Sequence, residues 1–327
     1  MKSLKRIVTL LALASVMAFA SGCSLFTQAP VKPAEEVVKE AMTNLSKIKS
    51  GSYELTMKGV AIGAPEATPK NVDFDGTVAG VFDSTDAKVP KFTMKLDGNL
   101  SIDKAAAEVV GVELRLDKDN FYANIAKLPD LGPSIPKEAV AMFMGKWWQI
   151  AVPAGTFDQL AELQEEDETK LPADVKAMKD LVKNTKFFKD LKYVSAESVD
   201  GTNCFHYTGT LDKDAVKTFV VEAGKIQGQE MAEGDVTSLD SFLKATTAPF
   251  DLWVDSATTT LKKVSGKLNI VPEEAGSLVL DISFMVGNMN KAQTVEVPKD
   301  ATLFDPSVFL GGGVSPERPE PLPIPEE

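Results

Sequence analysis

From Pro33 to Ser50 the apolar residues Val37, Val38, Ala41, Met42, Leu45 and Ile48 recur at three-and-four spacing. Glu35 and Glu36 stand at the start of this stretch and Lys47 and Lys49 at its end. The spacing predicts an amphipathic helix with charges matched to its dipole, ending before Gly51. The period then switches to two. Tyr53, Leu55 and Met57 alternate with polar residues, as do Val72 and Phe74, then Phe92, Met94, Leu96, Leu100 and Ile102. Val110, Val112, Leu114 and Leu116 follow, and Phe121, Ala123 and Ile125 come after an Asp117 to Asn120 turn. Alternation of this kind predicts strands with one dry face and one wet face, and such short connections favour antiparallel neighbours.

A second helical region is expected over Thr156 to Glu168 and Ala173 to Lys189, where Val175, Met178, Leu181, Val182 and Phe188 form one stripe among many lysines. Strands return at Leu191 to Val199 and Asn203 to Thr210, joined by Asp200-Gly201, and a helix is expected from Asp212 to about Ala223. The last third alternates again through Phe250, Leu252 and Val254, Leu261 to Ile270, and Leu278 to Val286, with Val295 and Val297 as a final candidate strand. Both halves run helix then strands, without a repeat at the level of residues. The dry faces carry Phe92, Met94, Leu96, Leu114, Leu116, Leu252, Leu280, Ile282 and Phe284, large groups that need cover from helices, from a ligand, or from both.

The two ends follow neither period. Lys2, Lys5 and Arg6 precede an apolar run from Ile7 to Ala20, too short for a comfortable membrane span, which closes on Ala20-Ser21-Gly22-Cys23. Small residues before a cysteine resemble a lipobox, so residues 1–22 are expected to be a cleaved lipoprotein signal peptide and Cys23 the lipidated first residue of the mature chain. Acyl burial is worth about 0.8 kcal/mol per methylene, so two or three chains hold a protein at a membrane essentially permanently. Residues 23–33 read as a flexible tether and residues 311–327, GGGVSPERPEPLPIPEE, as a disordered tail that cannot build a core. One domain is expected over 34–310.

Charge narrows the partners. Removing residues 1–22 leaves 35 − 3 = 32 basic against 47 acidic residues, or −15. Such a chain repels nucleic acid and anionic headgroups, so a bound lipid is expected to be held by its tails and not by a basic clamp. With Cys23 acylated, Cys204 is the one remaining thiol and no disulfide forms within the chain.

Catalytic chemistry finds little material. The single histidine, His206, excludes a multi-histidine metal site, and its strand neighbour Cys204 lacks a third partner nearby in sequence. Both are expected to be structural, a buried thiol and a hydrogen-bonded imidazole. Asp117-Lys118-Asp119-Asn120 opens like a calcium loop but has Tyr122 where the turn needs glycine, so it reads as a hairpin turn. Trp147 and Trp148 are adjacent and must face opposite ways on a strand. No catalytic residue, metal ligand or cofactor is expected.

Several segments carry a resemblance: the lipobox ending at Cys23, the helix leading into Gly51-Ser52-Tyr53-Glu54-Leu55, the run Gly145-Lys146-Trp147-Trp148-Gln149-Ile150, the strand and turn from Cys204 to Asp212, Phe250 to Asp255, and Val295-Glu296-Val297-Pro298. Together they resemble the LolA/LolB-like superfamily and, within it, the LppX/LprAFG type of bacterial lipoprotein. That resemblance implies an α+β fold: a strongly curved antiparallel sheet, an open half-barrel, with helices covering its concave face and a hydrophobic cavity for acyl chains between them. The implied function is a lipid-binding or lipid-transfer lipoprotein, held by its anchor to the outer face of the cell membrane or to the outer membrane and breaking no covalent bond. The alternative is an envelope scaffold whose sheet is filled by its own helices. A continuous apolar cavity of at least about 300 Å³ would separate the two.

Overall fold

The computed structural model describes residues 30–63, 70–103, 105, 108–128, 141–153, 155–157, 171–271 and 276–304. Cys23, the segments expected to be a signal peptide and a C-terminal tail, and most of the expected tether and of the helix expected over 156–168 lie outside these residues. Helix α1 (Ala34–Leu45) opens the described chain and leads into five strands: β1 (Ser50–Ile62), β2 (Asn71–Asp83), β3 (Lys91–Ile102), β4 (Glu108–Asp117) and β5 (Asn120–Lys127). Strand β6 (Trp147–Ala151) and helix α2 (Ala173–Asn184) come next, then β7 (Phe188–Val199), β8 (Thr202–Leu211), α3 (Lys213–Ile226) and α4 (Glu233–Ala245). The chain closes with β9 (Thr246–Thr247), β10 (Pro249–Asp255), β11 (Leu261–Ile270), β12 (Ser277–Gly287) and β13 (Thr302–Leu303).

All thirteen strands form one sheet, ordered β13-β6-β5-β4-β3-β2-β1-β12-β11-β10-β8-β7, with β9 paired to β11. Every pair is antiparallel except β13 with β6, and the two ends do not meet. The fold is therefore the expected α+β one, an open, curved sheet with helices. The chain enters through β1, and β12 returns to lie beside it along eleven paired residues, from Ser52↔Gly287 to Ile62↔Ser277. The β7–β8 hairpin turns on Asp200 (φ 49°) and Gly201 (φ 71°), a pair of left-handed residues whose twist matches the flanking strands.

Local sequence explains most boundaries, and some fall differently from the pattern. Helix α1 stops at Leu45, not at Ser50, because Ser50 already pairs with Asp83 and donates its hydroxyl to the Lys291 carbonyl. Lys47 and Lys49 are thus in the connection, not in the last helical turn. Helix α2 ends at Asn184, since Phe188 and Lys189 pair with Leu211 and Thr210 as the start of β7. Helix α3 is capped by Asp212, whose carboxylate accepts from the Ala215 N–H at 3.1 Å. Val295 and Val297 do not form a strand: Asp83 accepts from the Gln293 N–H at 3.1 Å and Arg115 donates to the Glu296 carbonyl at 2.6 Å, so side chains of the sheet hold this segment in place of a ladder.

The core sits at one end of the sheet. Val37, Val38 and Ala41 of α1 pack on Tyr207, Leu252, Val254 and Leu261, with Met42, Phe188, Leu191, Tyr193 and Val264 around them. Burying each valine in this way is worth about 1.5–3 kcal/mol, which is what fixes α1 across β7, β10 and β11. Helix α2 packs on α3, Phe187 in the connection after α2 meets Phe219 of α3 edge to face at 5.1 Å, and α3 packs on α4.

Candidate functional site

The register joins the strands into continuous apolar rows. Ile125, Val112, Leu96, Val78, Leu55, Phe284, Val264, Leu252, Tyr207 and Tyr193 are successive cross-strand partners over ten strands. Partners in a ladder share a face, and so do alternate residues along each strand. All nine residues singled out from the sequence therefore lie on this one face: Phe92, Met94 and Leu96 on β3, Leu114 and Leu116 on β4, Leu252 on β10, and Leu280, Ile282 and Phe284 on β12.

Cover is uneven. Leu252, under α1, is fully buried, whereas the other eight are only half-buried. The apolar face thus continues past the reach of α1 along β12, β1, β2, β3 and β4. Glycine makes room on it: the Phe74 ring lies against Gly59, where a Cβ would collide with it.

Beside α1 the cover opens into a cavity of about 1100 Å³. Its walls are α1, the connection from Ser46 to Lys49, α2 and the start of β7. Val38, Met42, Ile48, Met178, Val182, Phe187, Phe188 and Leu191 supply the apolar lining. Helix α2 rests on α3, and the space lies between α2 and α1. Six lysines (Lys39, Lys47, Lys49, Lys179, Lys183 and Lys186) and two glutamates (Glu35 and Glu36) also line it. Lys186 and Glu35 approach to 3.7 Å, both well exposed, a pair worth little in water. None of the nine residues lines this cavity; it adjoins their face through the core around Leu252. Sequence reasoning missed its walls because α1 and α2 each read as an ordinary amphipathic helix, and nothing local says that they stand apart.

The opposite face carries the one histidine. His206 Nδ1 lies 2.8 Å from Glu197 Oε1 and its Nε2 lies 2.7 Å from Asp251 Oδ1. Its ring stacks on Trp253 at 4.6 Å, Trp253 Nε1 donates to Glu197 at 2.9 Å, and the Lys263 ammonium sits 4.6 Å from the Trp253 ring centre. Both imidazole nitrogens are occupied by carboxylates, so neither is left to serve Cys204 as a base. Cys204 is buried, and burial pushes its thiol up to about 11, away from the thiolate that nucleophilic chemistry needs. Trp147 and Trp148 face opposite ways: Arg115 stands over Trp147 at 4.6 Å, and Trp148 donates its Nε1–H to the Phe143 carbonyl at 3.2 Å. No helix among the described residues is long and apolar enough to cross a membrane.

No family model and no curated protein matches the sequence. Among solved structures, the chain is similar to the lipoprotein LppX of Mycobacterium tuberculosis at 12% identity and a TM-score of 0.32, over 80% of this chain and 98% of that one. It is similar to LprF of Mycobacterium bovis at 12% identity and a TM-score of 0.33, over 84% of this chain and 100% of that one. A DUF1329 family protein from Desulfovibrio piger is matched at 12% identity and a TM-score of 0.19, over 82% and 96% of the two chains.

Proposed function

We propose that this protein is an envelope lipoprotein, anchored through lipid on Cys23, that binds or transfers an acyl lipid without making or breaking a covalent bond. The observation that carries the reading is the half-covered apolar row running from Ile125 to Tyr193. A scaffold with a filled core would seal such a row along its length, because each large apolar side chain left half in water forgoes part of a gain of about 1.5–3 kcal/mol. Here, among the described residues, Leu252 and Tyr207 beneath α1 are the members of the row that are fully buried, and the other eight are half-buried. The cavity of about 1100 Å³ beside α1 is well above the roughly 300 Å³ at which ligand pockets begin. Partition is then the mechanism: acyl chains leave the bilayer for a dry protein surface, and the anchor keeps that surface within reach of the membrane. A domain over 34–310, with tether before and tail after, belongs to the same reading.

Native mass spectrometry of the purified protein tests it. The expected result is a population heavier by the mass of a releasable lipid, over and above the covalent anchor. A protein of uniform anchored mass that also takes up no added fatty acid would favour the scaffold.

A further inference from the structure

We infer that the cavity between α1 and α2 takes an anionic amphiphile, an aliphatic chain ending in a carboxylate or phosphate, with its chain against Val38, Met42, Met178 and Phe188 and its headgroup among Lys39, Lys179 and Lys183. This rests on the lipid-binding reading and names the ligand class for one site within it.

The charge of the cavity carries the argument. The chain as a whole has 35 basic and 47 acidic residues, yet six lysines and two glutamates line this space. Glu35 is already engaged by Lys186 at 3.7 Å, and Glu36 is the remaining carboxylate. Lys39, Lys179 and Lys183 make no ion pair with any described residue. They come from two helices far apart in sequence, and all three extend into solvent. Like charges gathered without partners repel one another, and an anion entering among them relieves that repulsion. Beneath the lysines the lining turns apolar, so a free anion fills half of the site and an uncharged lipid the other half. An anionic amphiphile satisfies both. Net charge argues against a basic headgroup clamp over the surface as a whole, but it says nothing of where the lysines meet.

The test uses the full lipidated protein in nanodiscs of neutral phosphatidylcholine, with a diazirine-bearing hexadecanoic acid and its methyl ester as photoreactive probes. Adducts are mapped by mass spectrometry, and empty nanodiscs give the background. The acid is expected to label residues 34–49 and 173–191 about tenfold more than the ester at low salt, an excess that shrinks as the Debye length falls below about 10 Å. The triple variant Lys39→Gln, Lys179→Gln, Lys183→Gln, whose side chains are exposed and make no ion pair with a described residue, is expected to fold normally and to cut that excess about fivefold, the scale of a few weak charge contacts in water. Acid and ester labelling this site equally, and alike in the variant, would overturn the inference and leave lipid binding standing. No labelling by either probe anywhere on the described face would bring down both. Loss of the acid's excess to millimolar inorganic phosphate, with ester labelling absent, would indicate a simple anion site and overturn the amphiphile. Lysine-dependent binding to anionic vesicles with no probe labelling here would overturn it in favour of membrane docking.

Discussion

Tyr207 of β8 pairs with Leu252 of β10 beneath α1; both are fully buried, and the Tyr207 hydroxyl has no hydrogen-bond partner among the described residues. A buried donor left unmade costs about 1–3 kcal/mol. Tyr207→Phe keeps the ring and removes that cost, so it is expected to raise the stability by about 1 kcal/mol, read from the urea midpoint at constant slope. A loss of similar size would mean that the hydroxyl meets a bound group in solution.

Alkaline pH provides a second check. Burial raises Tyr207 from 10.0 to about 12 and Cys204 from 9.0 to about 11. In each case the folded protein holds the neutral form, so the unfolded chain ionises first and gains on the folded one. Stability is therefore whole below the unfolded values and falls as pH rises from about 9 to about 12. Cys204→Ala should flatten the lower part of that fall and Tyr207→Phe the upper part. A urea midpoint unchanged between about pH 8 and pH 11 would contradict both assignments.

Gly80 lets three strands lock together. The Tyr53 hydroxyl, from β1, reaches over it to donate to the Thr93 carbonyl on β3 at 2.9 Å, while the Tyr53 ring stacks on Phe92 at 6.0 Å. A Cβ on Gly80 would run into the Thr93 carbonyl, which is backbone and cannot swing aside, and would come within 2.9 Å of the Tyr53 hydroxyl. Gly80→Ala is expected to destabilise by about 1–3 kcal/mol, as an overpacked site does. An unchanged melting temperature would show that the two strands part freely at this point.

Leu280 tests whether the uncovered face is a binding surface. It is half-buried between Gly59 and Leu268. In a sealed core Leu280→Trp would cost about 1–3 kcal/mol. On an open apolar face the indole occupies free space, so the expected outcome is a nearly unchanged melting temperature with uptake of a fluorescent fatty acid blocked. Lost stability together with undiminished uptake would remove this part of the face from the proposed site.

The anchor is tested at Cys23. Cys23→Ser removes the thioether donor and is expected to leave the precursor unprocessed and unlabelled by an alkyne fatty acid in cells. Equal labelling of variant and wild type would end the lipoprotein reading.

The sequence by itself determined the elements and their faces. Period-two alternation marked β3, β4, β10 and β12 and put nine large apolar residues on their dry sides, because a strand's side chains alternate whatever it pairs with. Three-and-four spacing placed α1, and the Asp200-Gly201 pair placed the turn between β7 and β8. Helix α4 is fainter in the sequence: Val236, Leu239, Phe242 and Leu243 keep helical spacing, yet Ser, Thr, Gly and Asp between them dilute it, and Leu243 alone of its residues is buried.

Tertiary structure alone decided the order of strands, which brings β12 beside β1 through a register no local signal encodes. It also decided the cover. Helical periodicity states that α1 and α2 each have an apolar side, but not that α1 presses on β10 and β11 while α2 turns to α3. That choice is set by which faces fit across long stretches of chain, and it leaves the space between the two helices open. For the same reason net charge does not say where charges gather: it sums over the whole surface, whereas Lys39 and Lys183 line one cavity only because the fold brings together segments distant in sequence.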